Sequence, residues 1–335
     1  MGLTIDTIAS SYTGHTGPVS DRRRMITTKD VFEVPRLLAQ GVLAWTLPQA
    51  AWWPLSRLLG QLDVAMHPKR THEEVARVEI AYAGTVLARE AYQLAVESWA
   101  NRYEDRFHYL KAWQPGGWEP EIEIGGAEHV TAALKRGRGI VFLGGTFSFN
   151  HLITKMAFHR LGLQVSHFSR PTHGFSDTHF GVRYLNAICR VVEDRYLGER
   201  FISDVSATRE TLRLMRARLM DNGCVSFTVG DRGRRTATAS FLNARLVLAT
   251  GPLAMAWSTG ATMLPVFTLR KKSGRFEVTI GEPIAFMENA EGEADYEAAL
   301  QTYADMVMPY ALGDPGQWRG WRYVHSPEHG CSGRA

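Results

Sequence analysis

The sequence predicts an α/β fold: a largely parallel or mixed sheet with helices on both faces, preceded by N-terminal helices. Three observations carry this. Of the 335 residues 45% are hydrophobic and 21% charged, which is enough to bury a large core and excludes a disordered or coiled-coil chain. Beyond residue 120, short apolar runs alternate with helical segments, the order that sets parallel strands between covering helices. The Pro/Gly/Trp-rich stretch Trp113 to Pro120 divides this alternation from a helical region before it. The expected organisation is a polar leader (1–30), an N-terminal helical portion (31–115), an α/β domain (116–325) and a tail (326–335).

The leader contains Arg22-Arg23-Arg24 and lacks the apolar core of a secretory signal peptide. From Leu37 to Ser56 no residue is charged, and Trp45, Trp52 and Trp53 lie among leucines. Gln40, Gly41, Pro48, Gln49 and Pro54 interrupt the stretch, so it does not supply the roughly 20 apolar residues of a spanning helix. Two readings stay open: a helix pair lying among lipid headgroups, flanked by Arg36, Arg57, Lys69 and Arg70, or a hydrophobic hairpin packed on the rest of the protein.

Residues 73–101 repeat Val75, Val78, Ile80, Ala83, Val86 and Leu87 near helical spacing and read as one long amphipathic helix. Strands are expected at Ile140 to Leu143, Leu163 to Phe168, Ile188 to Val192, Cys224 to Val229 and Met263 to Leu269. Helices are expected near 126–136, 150–161, 176–187 and 203–221. After the turn Arg270 to Arg275, Phe276 to Ile280 alternates as an edge strand and closes a final hairpin, and 293–311 forms a last helix.

The net charge of +4 comes from 31 arginines and only 7 lysines against 34 acids. Guanidinium forks suit phosphate and carboxylate partners, although a GC-rich genome would also spell lysine as arginine. Cys189, Cys224 and Cys331 stand far apart without CxxC spacing, which indicates neither a disulfide framework nor a zinc site and fits a reducing compartment.

Ligands of open α/β sheets bind at the carboxyl ends of strands, so the loops there are the candidate site. The first strand leads into Thr146, Ser148 and Asn150, an N-cap candidate, with His151 opening the next helix, where the dipole would keep a proton-accepting imidazole neutral. A merely solvent-facing His151 is the bland alternative. The second strand ends in Arg170, placed to hold an anion, followed by His173, Asp177 and His179, which look metal-like but lack a fourth ligand. The Cys224 strand ends in Asp231 beside Arg232, Arg234 and Arg235: a phosphate-binding patch, or an acid neutralising its neighbours. Thr250 and Gly251 precede Pro252 at a helix start whose free amides suit an anion.

The ordered set of segments resembles the late acyltransferases of lipid A biosynthesis and their phosphatidylinositol mannoside-acylating relatives. The resemblance runs from Glu121 to Val130 through Arg136-Gly137-Arg138-Gly139, Arg170-Pro171, Gly230-Asp231, Ala249 to Pro252, Met263 to Leu269 and Ile280 to Pro283, and ends at Pro315 to Trp321. It implies a glycerolipid acyltransferase-like domain, attached to the membrane through an N-terminal segment, moving an acyl group from a thioester to a lipid hydroxyl. It also exposes a departure. Where the family carries H-x4-E or H-x4-D, this chain has Thr146 and His151, and none of its 12 histidines is followed five positions on by Asp or Glu.

Thr146 has no base of its own to make it an alkoxide. The expected reassignment makes His151 the base, oriented by Asp231 or Asp177, with Arg170 holding the donor's phosphate. The donor is expected to be acyl-CoA or acyl-carrier protein, the acceptor a lipid hydroxyl or an amine, with no bound cofactor or metal. The expected location is the cytoplasm, peripheral on the inner face of the membrane. Two alternatives remain: a catalytically degenerate lipid-binding subunit, and transfer from an aminoacyl-tRNA to an amine or hydroxylamine. A hydrolase using Ser148 or Ser169 is disfavoured, because Gly145 to Phe149 lacks the G-x-S-x-G turn.

Overall fold

The computed structural model describes residues 15–16, 23–203 and 209–327. Most of the expected leader, the tail with Cys331 and the opening of the 203–221 helix lie outside the described residues. Four N-terminal helices, α1 (Thr28–Thr46), α2 (Trp52–Met66), α3 (Pro68–Ala81) and α4 (Ala91–Trp113), precede the sheet region.

The main sheet consists of β1 (His15–Thr16), β2 (Ile122–Gly125), β3 (Ile140–Gly144), β4 (Val165–Ser169), β5 (Glu199–Ile202), β6 (Cys224–Thr228), β9 (Thr262–Arg270) and β10 (Phe276–Ile280). Their order is β1-β5-β4-β6-β3-β9-β10-β2, parallel throughout except for the β9–β10 hairpin. A smaller antiparallel sheet joins β7 (Thr236–Phe241), β8 (Ala244–Ala249) and β11 (Val324–His325).

Central strands explain the two-sided cover. Every residue of β3 is buried, and successive side chains feed opposite cores. Val141 and Leu143 pack with α8 (Arg209–Met220), α9 (Gly251–Thr259) and α10 (Tyr296–Gly313). Ile140 and Phe142 pack instead with α4 and with α6 (Asn150–Arg160) and α7 (Asn186–Asp194). Leu37, Ala44 and Trp52 join that second core, so α1 and α2 are seated on the α/β unit. The remaining helix, α5 (Ala127–Lys135), lies between β2 and β3 in the chain.

Several expectations are corrected. The run Ile188 to Val192 is not a strand but part of α7: Leu185, Ile188, Cys189 and Val192 are buried at helical spacing, and the strand comes later as β5. The long helix over 73–101 is broken after Ala81, where Gly84 has φ +80° and lies against Asn243, whose Nδ2 donates to the Ala83 carbonyl at 2.9 Å. β10 is not the edge, since β2 pairs outside it. The β7–β8 hairpin was unexpected despite its alternating burial. Asn150 does not cap a helix; it is the first residue of α6, behind Phe149.

The tryptophans of the N-terminal stretch divide between the two readings. Trp52 is core, stacked on Phe107, whereas Trp45 is about half exposed. Helix α1 turns Asp30, Glu33 and Gln40 inward and Val31, Phe32, Leu38 and Val42 outward, and Leu58, Leu62 and Met66 continue an apolar surface on α2. Among the described residues no helix is long and apolar enough to cross a membrane.

Candidate active site

The loops after β3, β4 and β6 and the start of α9 open onto one cavity of about 1850 Å³, roofed by α1, α2 and α4. Thr146, His151, Arg170, Arg232, Thr250 and Gly251 all line it. The other expected site residues do not. Ser148 is buried, with both its amide and hydroxyl donating to the Gln317 carbonyl. The Asn150 side chain accepts from the Thr154 hydroxyl at 2.9 Å. Asp231 and Asp177 are exposed and off the cavity wall, so neither is the carboxylate that orients a histidine there. The Thr250 hydroxyl donates to the Arg235 carbonyl at 3.3 Å.

Glu33, Asp63 and Asp105 line the cavity, and behind its wall, next to His173, lies Glu193, at the end of α7 and wholly buried. His173 Nε2 lies 2.7 Å from Glu193 Oε1, Lys155 Nζ and Arg200 Nη2 lie 3.1 and 2.7 Å from Oε2, and the Tyr109 hydroxyl donates to Oε1. Burial opposes charge on Glu193, but His173, Lys155 and Arg200 outweigh it and hold the carboxyl well below its usual range. Burial likewise lowers Lys155, which Glu193 partly offsets. Arg200 also bonds Asp194 at 2.6 Å and donates to the Ser169 hydroxyl at 3.1 Å, anchoring the cluster to the end of β4.

His151 and His173 face each other with ring centroids 4.7 Å apart. Nδ1 of His151 is shut off from solvent and has no hydrogen-bond partner. Burial, followed by the nearby His173 and Lys155, keeps the His151 imidazole well below its ordinary pKa, so it is neutral. His173 lines the cavity, and among the described residues its ring has a hydrogen bond only at Nε2, with no partner on Nδ1. Because Glu193 is ionised it accepts from Nε2–H, which in a neutral imidazole places the lone pair on Nδ1. A histidine–carboxylate pair is thus assembled from the loop after β4 and from α7, with the histidine on the cavity wall and the carboxylate buried behind it.

In the sequence His173 stands out only in a metal-like trio with Asp177 and His179. Among the described residues no group of His, Cys, Asp and Glu is disposed to hold a metal ion. Glu193 was hidden by reading its segment as a strand; on a helix it lies on the buried face with Asn186 and Cys189, where an acid demands partners.

The sheet order, the two-sided helical cover and this strand-end cavity define an α/β enzyme-like fold with its site at the carboxyl edge. The chain belongs to the bacterial lipid A biosynthesis acyltransferase family, whose profile matches residues 46–320, and the chemistry of that family is acyl transfer. No individual curated protein matches the chain.

Proposed function

We propose that this protein transfers an acyl group from a thioester, of coenzyme A or of acyl-carrier protein, to a hydroxyl or amine acceptor, with His173 as general base and Glu193 as its orienting carboxylate. His173 on the cavity wall, bonded to Glu193 buried behind it, is the observation that carries the reading. In this mechanism Nδ1 of His173 takes the acceptor's proton as its oxygen or nitrogen attacks the thioester carbonyl. The tetrahedral intermediate collapses with cleavage of the C–S bond, and the imidazolium returns the proton to the departing thiolate. The imidazolium is stabilised by ionised Glu193. Leu43, Leu55, Leu59 and Leu62 line one part of the cavity and suit an acyl chain, while Arg170 and Arg232 suit the donor's phosphate.

The test is turnover of labelled acyl thioesters with candidate acceptors. His173→Ala is expected to lower kcat by roughly 10²–10⁴-fold, the usual contribution of a general base. Retained turnover in that variant would remove His173 from the mechanism, and no turnover of wild type with any donor would favour a non-catalytic lipid-binding subunit.

The outward apolar face of α1 and α2 supports a peripheral membrane contact. Leu38→Asp with Val42→Asp is expected to cut sedimentation with anionic liposomes several-fold without loss of secondary structure. Equal sedimentation of both proteins would reject the contact.

A further inference from the structure

A second group of arginines enters the same cavity from elements that the strand-end loops do not include: Arg70 on α3, Arg102 on α4, and Arg319 and Arg322 in the segment after α10. Trp99 is sandwiched between the first two, with Arg70 3.8 Å and Arg102 4.0 Å from its ring centroid. Arg102 is paired with Glu74 at 2.9 Å. Arg319 and Arg322 have no ion pair and no side-chain hydrogen bond among the described residues, and the Nε of each is enclosed without a partner. The backbone amide of Arg319 donates to the Thr146 carbonyl at 2.7 Å, which fixes this pair beside the loop after β3.

Glu74 is the acid felt by Arg322, but it is already paired with Arg102, and two guanidinium groups held without an ion pair of their own in a partly enclosed space are unfavourable unless something negative sits with them. Burial, then the proximity of Arg102 and Arg322, disfavours charge on Arg319. The protein's own acid there does not answer it: burial pushes Asp105 up to about 8 in spite of Arg319, so this carboxyl keeps its proton at neutral pH. The open charge amounts to two forks, which matches a dianion with several acceptor oxygens better than a single carboxylate.

We propose that Arg319 and Arg322, backed by Arg102 and Arg70, form a binding site inside the cavity for a phosphate or diphosphate group of a substrate. This rests on the acyl-transfer reading for the word substrate, but it is tested by binding alone. In calorimetry with inorganic pyrophosphate, Arg319→Gln and Arg322→Gln are each expected to weaken binding about tenfold or more, as loss of a charge-assisted hydrogen bond does. Arg322→Lys, which keeps the charge but loses the fork, is expected to lie between. Arg213→Gln, on an exposed pair with Glu210, is expected to bind as wild type. Thermal unfolding without pyrophosphate checks folding, and the glutamine variants are expected to be no less stable, since each removes an uncompensated charge.

The site is overturned if wild type does not bind pyrophosphate, if Arg319→Gln and Arg322→Gln bind it unchanged, or if binding depends only on Arg232 and Arg234. Coenzyme A displacing pyrophosphate from the Arg319-dependent site supports it as the donor's phosphate site. A short-chain phosphatidic acid displacing it where coenzyme A does not supports it as the acceptor's. Full turnover in His173→Ala with intact Arg319-dependent binding would reject the base and leave this site standing; the reverse pattern would reject the site alone.

Discussion

His151 and His173 stand 4.7 Å apart at the same cavity, yet the loops that carry them provide opposite surroundings. The loop after β3 gives His151 burial, cationic neighbours and an unpartnered Nδ1, which together keep it neutral and leave its tautomer unset by any hydrogen bond. The loop after β4 gives His173 a hydrogen bond to ionised Glu193, which sets its tautomer and offsets the charge it would acquire. What makes a histidine a base is the partner on its other nitrogen more than its distance from the strand end.

That contrast can be broken most directly by kinetics. The comparison demands that His151→Ala cost less than about tenfold in kcat where His173→Ala costs 10²–10⁴-fold. An inverted order would return the base to the loop after β3.

Next in size is Glu193. Glu193→Gln leaves Lys155 and Arg200 buried without their shared anion and is expected to cost about 3–5 kcal/mol in chemical denaturation. Its depressed pKa means that its stabilisation is present above the ordinary carboxyl range near 4.5 and is lost as pH falls through the lower folded value. A glutamine variant as stable as wild type at neutral pH would show that the cluster does not hold α7 to β4 and β5.

A smaller effect comes from a third histidine. His108 is buried against Trp118, with ring centroids 4.6 Å apart, both ring nitrogens unpartnered, and a pKa driven well below 6.5 by burial and then Arg270. The unfolded chain therefore binds a proton that the folded chain refuses, and stability falls as pH drops below 6.5. This site contributes about 1.4 kcal/mol per pH unit. His108→Phe is expected to remove that slope relative to wild type in denaturation measured between pH 5 and 7. Parallel curves for the two proteins would contradict it.

Much of the sheet was legible because buried parallel strands are continuous apolar runs: Ile140 to Leu143, Cys224 to Val229 and Met263 to Leu269 all lie on observed strands. The failures have physical causes. A run such as Ile188 to Val192 is as apolar in a helix as in a strand, and only Leu185, one turn earlier, discloses the helical period. The β7–β8 hairpin has an alternating pattern, but its strands are short and follow directly on the arginine- and glycine-rich loop Gly230 to Arg235. Thr146, His151, Arg170 and Arg232 line the cavity because strand-end loops are predictable places. His173–Glu193 does not stand out in the sequence, because the pair is 20 residues apart and meets only once α7 has packed against α4 and α6.

The sequence by itself determined the α/β class, the strand-end loops that line the cavity, the family resemblance and the absence of its usual H-x4-E/D spacing, since these follow from local periodicity and order along the chain. Tertiary structure decided which histidine has a carboxylate, which arginines are left without one, and which face of α1 remains apolar and exposed. Those are properties of groups brought together from distant segments, and their energies depend on burial and on partners that no local window contains.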